Sequence, residues 1–128
     1  MKALKQRYEI KAPIGTVWQA LVDPEIIEKW SGGPAKMSDK ESFEFSLWGG
    51  DIHGKNIKVV KNKELVQDWY GGDWDQPSKV TFRLSEDQGV TEVNLIQENV
   101  PDEEFEDIED GWKQFYLGPI LDFLENPK

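Results

Sequence analysis

Polar and apolar positions alternate in "LKQRYEI": Leu4, Gln6, Tyr8 and Ile10 fall on one face and Lys5, Arg7, Glu9 and Lys11 on the other. That period predicts a half-buried strand, which Pro13 then ends. Proline suits the first helical position, and Ile14, Val17, Trp18 and Leu21 follow at helical spacing until Asp23-Pro24, predicting a short amphipathic helix. "EIIEKW" predicts a second short helix with Ile26 or Ile27 and Trp30 inward, and "SGGP" forces a loop after it.

From Ser42 to about Asn99 the pattern is that of strands: Phe43, Phe45 and Leu47 alternate, "NIKVV" and "ELVQDWY" are β-rich, and Val80, Phe82 and Leu84 alternate before Val93 and Leu95. Turn signals at Gly49-Gly50, Asn62-Lys63, Gly71-Gly72 with Gln76-Pro77, and Asp87-Gln88-Gly89 leave room for hairpins but not for helical crossovers. This is an antiparallel meander. In the last segment Phe105, Ile108, Trp112, Phe115, Tyr116, Pro119, Ile120 and Phe123 trace one wide apolar face of a long helix. Acidic residues from Asp102 to Asp110 crowd its first turns, where the helix dipole favours negative charge. Gly118-Pro119 predicts a kink or break inside it.

A sheet with one apolar face must cover it, and the aromatic-faced helix is the element large enough to do so. The expected fold is α+β, with a curved antiparallel sheet of about six strands wrapped around a long C-terminal helix and two short helices after strand one. The 128 residues suit a single domain, 1–128.

Composition narrows the function. A net charge of −10 with scattered lysines argues against nucleic-acid or membrane partners. No cysteine is present, which removes thiolate metal sites, disulfides and cysteine nucleophiles. The opening "MKALKQRYEIKAP" has no continuous apolar run, so the expected location is the cytoplasm. Six Trp, six Phe and three Tyr supply unusually large side chains for lining an interior.

"APIGTVWQALVDPEIIEKW" resembles the opening of helix-grip, START-like (SRPBCC) domains, with Ala-Pro before a helix carrying Val-Trp and Ala-Leu, then Asp-Pro and a second helix ending in Trp. "FSLWGGDIHGKNIKVVKNKELVQDW" and "DGWKQFYLGPILDFLE" are similar to the middle and the last helix of the C-terminal domain of activators of heat-shock-protein-90 ATPase. The resemblance implies a START-like fold, and for the wider superfamily an apolar small molecule held between sheet and long helix. For the activator family it implies a chaperone partner. Full-length activators carry a separate N-terminal domain that does much of the chaperone binding, whereas this sequence opens on the START-like part. It implies no catalytic residue and no cofactor.

Two classes of function follow, both non-enzymatic: a module that captures an apolar ligand, and a co-chaperone-like protein that docks on a heat-shock-protein-90-type chaperone and modulates its ATPase. A cyclase or hydrolase of the superfamily is the third. The cavity candidates are Trp18, Trp30, Phe43, Phe45, Trp69, Trp112, Phe115 and Tyr116, drawn from faces that should converge. Trp48 and Trp74, beside Gly-Gly turns, are the protein-contact candidates. His53, the lone histidine, has Asp51 two residues before it, but a metal needs three or four ligands, so the expectation is an exposed turn histidine and no metal. Asp68, Glu92 and Glu98 are carboxylates that could meet inside a cavity, although acids on strands generally face water. Gly54 is read as a place where the strand bends or the long helix passes close.

Overall fold

The computed structural model describes residues 2–71 and 74–125. Gly72, expected to turn the chain with Gly71, lies outside the described residues. Strand β1 (Lys2–Ile10) leads into helices α1 (Ile14–Val22) and α2 (Pro24–Ser31), and the chain continues through β2 (Ala35–Lys36), β3 (Glu44–Leu47), β4 (Ile52–Val60), β5 (Glu64–Gly71), β6 (Ser78–Asp87) and β7 (Val90–Val100). All pair antiparallel in the order β1-β7-β6-β5-β4-β3-β2. The sheet therefore has seven strands where the sequence pattern suggested about six. The extra one, β2, is two residues long, too short to show any period.

The turn chemistry explains the register. Gln88 and Gly89 both take positive φ, 52° and 80°, which lets two residues join Asp87 to Val90 with the twist of the sheet. Asp23 closes α1 and opens α2, its Oδ1 accepting from the Glu25 N–H at 2.9 Å. Pro13 sits one position before α1 rather than inside it, and the Ile14 amide donates to Glu86 at 2.6 Å, which pins the helix to the β6–β7 hairpin.

The C-terminal run changes character along its length. A short 3₁₀ turn (Asp102–Glu104) enters α3 (Phe105–Gly111), the segment Trp112–Tyr116 is a π-helical turn, and α4 (Leu117–Glu125) finishes the run. The irregularity thus falls one turn before Gly118-Pro119, where the sequence placed it. Pro119 has no N–H for the Phe115 carbonyl, and a Cβ on Gly118 would overlap the Lys113 carbonyl. Leu117 donates to Trp112, five residues back, so the chain is wound wide there and glycine is what lets the carbonyl bulge fit.

The inward faces of β5, β6 and β7 carry Leu65, Val80, Phe82, Val93 and Leu95, all fully buried, against Trp112, Tyr116, Leu117 and Ile120 of the C-terminal run. Among the described residues no helix is long and apolar enough to cross a membrane.

On the outer face Glu64 bridges Arg83 at 2.9 Å and Lys58 at 3.0 Å. The hydrogen bonds from Arg83 and then Lys58 hold its carboxyl below the usual glutamate value. A folded-state value below the unfolded one contributes stability above about pH 4.3 that is lost as pH falls through the folded value. Urea titrations from pH 6 to pH 3 should therefore show a smaller loss of stability for Glu64→Gln than for the wild type, a difference of about 1 kcal/mol or less for so accessible a pair. Equal losses would mean that the two cations do not bias Glu64.

Candidate functional site

Between the C-terminal run and the β2–β5 end of the sheet the inward faces do not close, leaving a cavity of about 670 Å³. That volume lies in the range of roughly 300–1,000 Å³ typical of small-molecule sites. Its inner wall is aromatic. Tyr116 is the hub, with ring centroids 5.0 Å from Trp30, 6.1 Å from Trp48, 5.5 Å from Trp69 and 4.8 Å from Trp112. Burial pushes the Tyr116 phenol well above its ordinary value, so it stays protonated.

Each ring is fixed by a different device. Trp30 donates to the Ala20 carbonyl at 2.9 Å, which ties the end of α2 to α1. Trp112 donates to Gln97 Oε1 at 2.8 Å, helix to strand. Trp69 donates to Gln67 Oε1 at 2.7 Å, and Gln67 donates to Asn56 Oδ1 at 2.8 Å. Asn56 in turn donates to the carbonyls of Ser38 and Lys40, at 2.8 and 3.0 Å. Buried amides need partners, and this chain of them gives the Trp69 indole one orientation.

Trp48 is held differently. Its backbone is left-handed, φ 56°, a conformation that costs a bulky residue roughly 1–2 kcal/mol. The Trp48 amide donates to the Pro34 carbonyl at 2.7 Å, and Gly33 leaves the notch for the ring, since a Cβ there would come within 2.6 Å of Trp48 Cδ1. The Trp48 indole N–H is buried with no hydrogen-bond partner among the described residues. At the mouth Trp74 donates to Glu104 Oε2 at 2.7 Å, bridging the β5–β6 connection to the C-terminal run, and Phe115 stands 64% exposed on the rim.

Of the eight cavity candidates read from sequence, Trp30, Trp69, Trp112, Phe115 and Tyr116 line this space. Trp18 and Phe45 are buried in the core away from it, and Phe43 packs half-buried at the edge of that core. Trp48 and Trp74, expected at exposed turns, are half-buried and belong to the cavity wall. His53 is exposed on β4, beyond the turn, and stacks on Tyr70 with centroids 5.3 Å apart. Asp68, Glu92 and Glu98 do not meet inside the cavity: Glu92 pairs with Arg7 at 2.7 Å and Glu98 with Lys79 at 4.0 Å. Gly54 makes room for the neighbouring strand rather than for the helix, because a Cβ there would overlap the Asp68 carbonyl and lie 3.0 Å from Phe45.

Residues that sequence reading missed are Gln67, Gln97 and Glu104, while Asp51, weighed there only beside His53, lines the cavity. Gln97 had a signal, a polar residue in phase with Val93 and Leu95, and so did Gln67 between Leu65 and Trp69. Among the described residues no group of three or more His, Cys, Asp or Glu could hold a metal ion.

A family model described as "Activator of Hsp90 ATPase homolog 1-like protein" matches residues 11–124. An activator of 90 kDa heat shock protein ATPase homolog from Dictyostelium discoideum is 30% identical over 122 residues, covering 93% of this chain and 32% of that protein. The chain thus spans about a third of the length of the curated relatives it matches. Among solved structures, a heat-shock-protein-90 activator from Plasmodium falciparum superposes with a TM-score of 0.87 at 25% identity, over 94% of each chain. DynU16, a protein in the dynemicin biosynthetic locus, superposes with a TM-score of 0.86 at 20% identity, over all of this chain and 49% of the other, a likeness of fold.

Proposed function

From the premise that this chain belongs to the activator of Hsp90 ATPase homolog 1-like family, with its START-like helix-grip fold, we propose that it works as a binding module whose cavity takes up a largely apolar small molecule. The observation that carries this reading is the 670 Å³ space walled by five tryptophans, four of which have their indole N–H fixed by a hydrogen bond. A concave, largely aromatic cleft of this size with a few polar groups on its wall supports a ligand.

A second reading rests on the relatives. The Dictyostelium and Plasmodium proteins are described as activators of a heat-shock chaperone, and the exposed Phe115 ring gives this chain an apolar contact at the cavity rim. In that reading the chain docks on a chaperone of the same kind in the cytoplasm. The matched region is a third of the Dictyostelium protein, so activation of an ATPase is the further step of this reading.

Titration with the neutral dye N-phenyl-1-naphthylamine tests the first reading. The expected result is saturable one-to-one enhancement of dye fluorescence that Gly111→Trp abolishes, because Gly111 lines the cavity and a Cβ there finds only Phe115, at 4.0 Å. Dye binding that is absent, or equal in the two proteins, would remove the cavity as the site.

A further inference from the structure

The wall of the cavity carries one sign of charge, and that sign selects the occupant. Among the described residues, the ionisable side chains lining it besides the neutral Tyr116 phenol are Asp51 and Glu104, and no Lys, Arg or His lines it. The rings of Trp30, Trp48, Trp69 and Trp112 converge on Tyr116, and aromatic faces are the negative end of the ring quadrupole. Helix α2 ends here too: Ser31 and Gly32 line the cavity, so the helix presents its carbonyl end, the negative pole of its dipole, to the space. Two carboxylates therefore border an aromatic-walled volume, in a protein whose net charge of −10 adds to the same field.

An anion entering would lose its hydration with no cation to replace it, and a neutral guest would use only the apolar area. Resting on the reading of the cavity as a small-molecule site, we propose that it takes an organic cation with an apolar body, of the quaternary or protonated-amine class. The positive head faces the aromatic wall and the Asp51 and Glu104 carboxylates. Glu104 can serve while still accepting from Trp74, since an ionised carboxylate offers about four acceptor positions.

Calorimetric titration with three probes built on one naphthylmethyl body tests this: the trimethylammonium cation, its neutral tert-butyl isostere, and naphthylacetate. The cation should bind roughly tenfold or more tightly than the isostere, as expected for cation–π contacts in a partly dry site, and naphthylacetate most weakly. In the double variant Asp51→Asn, Glu104→Gln, which keeps an acceptor for the Trp74 N–H, the cation should weaken several-fold more than the isostere. An isostere that binds as tightly as the cation overturns the charge selectivity and leaves the cavity reading standing. No binding by any of the three overturns the cavity reading itself.

Discussion

Replacing Gly54 with alanine lowers the unfolding free energy by about 3 kcal/mol, at the upper end of the cost of overpacking. The new Cβ overlaps the backbone carbonyl of Asp68 on β5 and stands 3.0 Å from the Phe45 ring, so no side-chain rotation relieves it. The strands must part at the Gly54–Trp69 pair, and Trp69 is both a cavity wall and the end of the Gln67–Asn56 chain. The contrast is Gly111→Ala. Gly111 has helical dihedrals, −61° and −36°, and its added Cβ meets nothing closer than 4.0 Å, so the same chemical change there gains about 0.5–1 kcal/mol. Urea denaturation of both variants reads the two signs. A Gly54→Ala protein within 0.5 kcal/mol of the wild type would show that β4 does not need glycine for its approach to β5.

Trp112→Ala costs more, about 5 kcal/mol. Truncating a buried tryptophan costs roughly 3–5 kcal/mol, and leaving Gln97 Oε1 without its donor adds about 1–3 kcal/mol, less than additively because water can enter the enlarged space. That is comparable with the whole stability of a small domain, about 5–15 kcal/mol, so the alanine variant sits near the limit of folding. Trp112→Phe isolates the hydrogen bond: the ring contacts with Trp69 and Tyr116 survive in large part while the donor goes, and the expected loss is about 1–3 kcal/mol. Thermal melts that place Trp112→Phe level with the wild type would mean that Gln97 finds another partner and does not fix the helix on the sheet.

These two sites differ in how they could be read from the chain. Periods of two and of 3.6 residues, punctuated by Pro13 and Asp23-Pro24, located β1, α1 and α2 because those elements bury one regular face. The two-residue β2 has no period, and it forms because β3 offers it an edge at Ala35–Leu47. The Gly118-Pro119 pair announced an irregular helix, yet the wide turn lies just before it, since the missing proline donor acts on the preceding carbonyls. In the site, Trp30, Trp69, Trp112 and Tyr116 were legible as inward positions of regular elements. Trp48 and Trp74 were not, because their side chains are aimed by a left-handed backbone, a glycine notch and a partner 30 residues away, none of which is periodic. Gln67 and Gln97 were legible in principle as polar residues on the apolar face, and only the fold shows that each holds an indole.

We propose that the space between sheet and helix holds a small molecule in the cell. Native mass spectrometry of the protein purified from its own cells tests it most directly, run beside Gly111→Trp prepared in the same way. The wild-type protein should carry a defined non-covalent mass of a few hundred daltons, released on collisional activation and missing from Gly111→Trp. A wild-type protein without added mass, whether alone or in complex with a chaperone, would contradict it, and so would the same adduct on both proteins.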